Sequence, residues 1–98
     1  MIGKTERLTV TDTGASTDNI SGFLSIDSSH QGDVVLVQLE LGGANQSAQI
    51  EGRMTPNASW VPLLDSEVTE NAIRAVAAVP QIRLNVSAGT GVTDAYVQ

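Results

Sequence analysis

The sequence predicts an all-β protein, a single antiparallel β-sandwich or jelly roll of about eight short strands spanning residues 1–98 as one domain. Three observations carry that expectation. Apolar residues alternate with polar ones in short runs such as 7–11, 48–54 and 81–87, the period of a half-buried strand. Clusters of Gly, Pro, Asn and Asp punctuate those runs at the spacing typical of sandwiches and barrels. The most apolar run, Val34–Leu41, has strand length, is built of Val and Leu, and contains neither Gly nor Pro.

Taken in order, residues 7–11 alternate and read as a short edge strand, with 1–6 as an N-terminal arm that can order on binding. A solvated loop follows at 12–19. The second strand is expected at 20–26, with Ile20, Leu24 and Ile26 on one face. A polar turn at 27–33 leads into Val34–Leu41, which places Val35, Val37, Leu39 and Leu41 on one face. Its other face starts apolar with Val34 and Leu36 and ends polar with Gln38 and Glu40. That predicts cover at one end only.

Gly42, Gly43, Ala44 and Asn45 read as a hairpin turn, because glycine supplies the positive φ that tight turns require. In the fourth strand Ala48, Ile50, Gly52 and Met54 alternate with Gln49, Glu51 and Arg53. A proline turn at 55–58 precedes a strand at 60–64 that Pro62 confines to an edge or a bulge. Trp60, beside Val61, Leu63 and Leu64, is expected to pack in or against the core.

Residues 66–79 admit two readings. Ser66 could cap a helix over 67–79, whose inner stripe would be Val68, Ala72, Val76 and Val79. The alternative is an irregular acidic loop to about Asn71 and then a strand with Ile73, Ala75, Ala77 and Val79 on one face. Agreement with the rest of the chain favours the strand. Pro80 breaks the segment, and 81–87 alternates with Ile82, Leu84 and Val86 inward. Residues 88–91 read as a turn and 92–98 as the returning final strand.

Composition narrows the function. The chain has 11 acidic against 5 basic residues, a net charge of −6, and one each of Phe, Trp and Tyr. Neither a basic patch nor an aromatic platform is available for nucleic acid. No apolar run approaches a membrane span, and the first residues lack the apolar core of a leader, so a soluble protein made in the cytoplasm is expected.

The residues also argue against an enzyme and against a cofactor. There is no cysteine, and the one histidine, His30, sits in a single polar turn with Ser28, Ser29 and Asp33. A catalytic triad needs its members to converge from separate elements, and a zinc site needs more than one soft ligand. Carboxylates at Asp12, Asp18, Asp27, Asp33, Asp65, Glu67 and Glu70 fall in expected loops without the spacing of a calcium loop. Gly89-Thr90-Gly91 lacks the remainder of any phosphate-binding fingerprint. What remains is surface chemistry. Arg53, Arg74 and Arg83 each stand among apolar neighbours on an expected strand, as arginines at a subunit interface do, and a solvated outer face accounts for them equally well.

Two segments resemble the small β-proteins of tailed-phage virions. Residues 50–63 are similar to a hairpin of strand, polar turn and Trp-x-x-Leu, here with Trp60 and Leu63; Pro62 departs from the usual polar residue. Residues 79–91 are similar to a closing pattern of Pro80, Ile82, Arg83, an alternating strand and a Gly-rich turn. Together these segments cover about a quarter of the chain. The resemblance implies a capsid decoration (cement) protein that binds the major capsid protein on the virion surface as a homo-oligomer, a trimer above all. It leaves open a tail, baseplate or head-fibre component, and a stand-alone glycan- or host-binding domain is the competing reading.

Overall fold

The computed structural model describes residues 5–12 and 19–98. It contains seven strands and, among the described residues, no helix: β1 (Glu6–Asp12), β2 (Asn19–Ser25), β3 (Val34–Leu41), β4 (Ala44–Arg53), β5 (Val61–Pro62), β6 (Ala72–Ala77) and β7 (Gln81–Val97). All pairings are antiparallel, and they form one sheet curled into a half-barrel. The expected arm at 1–6 lies mostly outside the described residues, and its last member, Glu6, belongs to β1. Most of the expected loop at 12–19 lies outside them too.

β7 organises the sheet. Its first half is flanked by β2 and β4, and its second half by β1 and β3. The two final strands expected at 81–87 and 92–98 are therefore one strand of 17 residues, which brings the strand count from about eight to seven. The expected turn at 88–91 is a corner. Gly89 and Gly91, with φ of 95° and 109°, bend the chain without reversing it.

The expected hairpin at Gly42–Asn45 is a corner for the same reason. β3 and β4 do not pair with each other; they run in succession along β7, so residues 34–53 follow it through its bend. Asn45 takes φ 56°, and the β4–β7 register shifts on either side of Ser47. Such bulges add the extra residue that a bent strand needs. One consequence is a change of parity. Inward residues are Val35, Val37 and Leu39 before the corner, then Gln46, Ala48 and Ile50 after it. In β7 they are Ile82, Leu84 and Val86, then Thr93, Ala95 and Val97.

These residues, with Leu8, Val10, Ile26, Val68, Val76 and Ala78, form one continuous core. Leu24, Leu41, Leu63 and Val79 close its margins. Fully burying a Val, Leu or Ile side chain contributes about 1.5–3 kcal/mol, and the core holds the concave side of the curl together on that scale. The corner carries its own polar contact inside the core. The side-chain oxygen of Gln46, 2% exposed, accepts from the Gly43 N–H at 3.1 Å and the Thr93 hydroxyl at 2.7 Å.

Segment 66–79 takes the loop-then-strand form, with Val68 bridged to Ala48 and the chain entering β6 at Ala72. Ile73, Ala75 and Ala77 do share a face, but it points outward, and Val76 and Ala78 are the buried members. The outer face of β3 is not covered at its apolar end as expected: Val34 is 62% and Leu36 54% exposed, with Ile73 beside them at 61%.

Candidate functional site

Two of the three arginines meet on the convex face of the first half of the sheet. Because Gly52, Ile82 and Leu84 point into the core, strand alternation turns Glu51, Arg53, Gln81 and Arg83 to the outside. The register sets Arg53 opposite Gln81 and Glu51 opposite Arg83. Both pairs are used: Arg53 Nε donates to Gln81 Oε1 at 2.6 Å, and Arg83 Nε donates to Glu51 Oε1 at 2.7 Å.

Over these cross-strand pairs lies Trp60, delivered by the proline turn after β4. The guanidinium carbon of Arg53 is 4.2 Å from the indole centroid and that of Arg83 is 4.4 Å from it. Phe23, from β2 on the other side of β7, completes the group, 6.2 Å from Trp60 and 5.6 Å from the Arg53 guanidinium. Trp60, expected in or against the core, is thus half-buried, and it packs on the outer face of the sheet and not inside. The physical reason is that Leu63 and Val79 already fill the inner space at Gly52, where a Cβ would come within 2.5 Å of Val79 and 2.9 Å of Leu63.

The arrangement is stiff and partly dry. The Arg83–Glu51 side chains retain only 19% and 15% of their exposure. An arginine over an indole ring contributes about 0.5–2 kcal/mol, more as water is excluded. The cross-strand hydrogen bonds use the Nε of each guanidinium, and both guanidiniums keep Nη donors beyond them. Phe23, 5.6 Å from Arg53, is exposed, and so is Met54, the residue after Arg53 in the chain. Trp, Phe, Met and Arg are the residue types enriched at the centres of protein interfaces.

Arg74, the third expected interface residue, lies elsewhere. It is on β6, in the other half of the sheet, and its Nη1 donates to the Ile73 carbonyl at 3.1 Å. Sequence reasoning found both arginines of the cluster but neither aromatic as their partner. The missing knowledge was the β4–β7 register, which alone sets Arg53 and Arg83 a suitable distance apart for one indole ring. Among the described residues no group of three or more His, Asp or Glu side chains is placed to hold a metal ion. No family model matches the chain, and no curated protein matches it.

Proposed function

We propose that this chain is a structural protein of a phage virion, a capsid decoration protein that binds and stabilises the shell of the major capsid protein and works as a homo-oligomer, a trimer in the simplest form. One observation carries the reading. The segments that resemble virion proteins, 50–63 and 79–91, are neighbours in space, and their Arg53, Trp60 and Arg83 make one surface of interface composition. On this reading the two halves of the curled sheet act as the layers of a sandwich-type decoration domain. One layer faces the shell through the arginine–tryptophan cluster. The other offers Val34, Leu36 and Ile73 for contact between copies.

The mechanism is binding energy. A domain of this size can offer about 800 Å² to each of a few neighbours. Contacts that form only on the expanded shell stabilise that state by mass action, and symmetry-matched copies multiply the effect. A glycan-binding role fits less well, because guanidinium groups already occupy the Trp60 ring that a sugar would need. The test mixes purified protein with expanded and unexpanded shells that lack it, and measures bound copies and shell melting. Saturable binding to the expanded shell with a raised melting temperature is expected, and Arg53→Ala with Trp60→Ala should weaken it. No binding to either shell, or recovery in the tail fraction of disrupted virions, moves the assignment to a tail, baseplate or head-fibre role.

A further inference from the structure

A second surface lies where the curled sheet stops. β6 is the last strand on its side, and among the described residues its only strand neighbour is β3. Leu36 exchanges both backbone hydrogen bonds with Gln98, at 2.9 Å each, and so turns its N–H and C=O away from β6. Its register partner Ala75 is therefore in a non-hydrogen-bonded pair, and its own N–H and C=O face the open edge. By the two-residue period the same holds for Ile73 and Ala77.

Two of those carbonyls are already engaged. The Arg74 guanidinium covers the Ile73 oxygen, and Val79 N–H donates to the Ala77 oxygen at 2.9 Å. Among the described residues the edge is left offering the N–H groups of Ile73, Ala75 and Ala77 and the carbonyl of Ala75. That is the donor-rich pattern an added antiparallel strand would meet.

Beside this edge runs segment 63–70, and the two enclose an open hollow of about 430 Å³ that Ala75 and Arg74 line from β6. Leu63, Leu64 and Val68 supply its apolar wall. Three acidic residues line it, Asp65, Glu67 and Glu70, against the single arginine Arg74, and the Glu67 carboxylate also accepts a hydrogen bond from the Ser87 hydroxyl. The carboxylates do not converge as metal ligands would. The hollow is instead acidic with a smaller apolar part, and it meets the edge at Ala75.

We propose that this edge captures an extended segment of a partner protein that carries basic side chains at alternate positions, adding it to the sheet as a strand beyond β6. Backbone hydrogen bonds to Ile73, Ala75 and Ala77 hold the segment, and the alternate side chains select it. A lysine or arginine stem lies along Leu63 and Leu64 while its head reaches the carboxylates. Arg74 acts as a plug. It occupies the Ile73 carbonyl and repels a basic segment, so the empty edge is protected against casual pairing as exposed edges require. The inference does not depend on the virion reading and can hold if that reading fails.

The experiment titrates the whole protein with a fluorescein-labelled alternating Lys–Val heptapeptide and with its Glu–Val counterpart, following anisotropy and amide NMR shifts. The Lys–Val peptide should bind saturably, at least about tenfold tighter than the Glu–Val peptide, with a steep loss as salt is raised. The amides of Ile73, Ala75 and Ala77 should shift most. Arg74→Ala should tighten binding several-fold, and the double variant Glu67→Gln, Glu70→Gln should weaken it, both with melting temperatures near the parent's. Ala75→Pro removes one edge donor and should abolish binding. Equal affinity for the two peptides, amide shifts centred on β1 or β2, or weaker binding by Arg74→Ala would each overturn the proposal. So would hydrogen exchange showing that a second copy of the chain protects the β6 amides before any peptide is added.

Discussion

Gly43 and Gly91 stand back to back at the corner of the sheet: a Cβ on Gly91 would come within 2.6 Å of the Gly43 Cα. A Cβ on Gly43 would run into the Thr90 carbonyl oxygen. The two strands that turn this corner together can do so only because neither has a side chain there.

Gly43→Ala and Gly91→Ala should each be strongly destabilising. Gly91 also sits at φ 109°, where strain alone costs on the order of 1–3 kcal/mol. Gly22→Ala is the control, since nothing lies within 4 Å of its added Cβ. It should be neutral or stabilising by up to about 1 kcal/mol. Urea denaturation of the three variants decides the matter, and equal midpoints would refute the account of the corner.

Gln46 and Thr93 form the second device at the corner. Thr93→Val should cost about 1 kcal/mol, the net worth of one hydrogen bond. Gln46→Ala should cost about 2–4 kcal/mol, because it leaves the Gly43 N–H and the Thr93 hydroxyl unpaired and opens a cavity. A double-mutant cycle between the two positions should show coupling of about 1 kcal/mol.

Trp60 stabilises from outside the core, and its replacement should reflect that. Trp60→Ala should cost about 1–2 kcal/mol, below the 3–5 kcal/mol of a core aromatic. Coupling of Trp60 to Arg53 and to Arg83 should be about 0.5–1 kcal/mol each in double-mutant cycles. Zero coupling to both would mean that the guanidinium stacking contributes no stability.

Under the proposed function, self-association should depend on the outer face of the other half-sheet. Leu36→Asp and Ile73→Asp are changes at exposed positions, so monomer stability should move by no more than about 0.5 kcal/mol. Sedimentation should nevertheless show a smaller species than the parent forms. An unchanged oligomer would place the contact between copies elsewhere.

Much of this fold was legible in the chain, down to the inward residues of Val34–Leu41, the inward set Ile82, Leu84 and Val86, and the strand after Asn71. What was misread were the two corners. A residue with positive φ, Gly89 and Gly91 at one corner and Asn45 at the other, serves a reversal and a bend equally well, and local sequence does not say which follows. The decisive information is the partner strand, which lies up to 60 residues away, as Val97 does from Val37, and is set by packing. The candidate site shows the same division. Arg53 and Arg83 were visible as apolar-flanked arginines, yet their meeting over Trp60 depends on the pairing of Glu51 with Arg83. Arg74 has identical sequence credentials and lies on another surface.

The place of β7 in the sheet has a consequence for biosynthesis. Among the described strands β1 and β2 pair in the sheet only with residues 81–97, while β3 and β4 each have β7 as one of two partners and do not pair with each other. At about 5–20 residues per second, β1 leaves the ribosome on the order of ten seconds before its partner is made. During that interval the Val34–Leu41 segment has no strand partner until β6 is made, and none on its other side until β7 follows. Assembly of the sheet is then a late, nearly all-at-once event governed by long-range contacts, the slow end of the range for small domains. A chaperone that holds apolar strands would act on this nascent chain before β7 arrives, and any ribosomal stall between Arg53 and Gln81 would leave the chain unable to close.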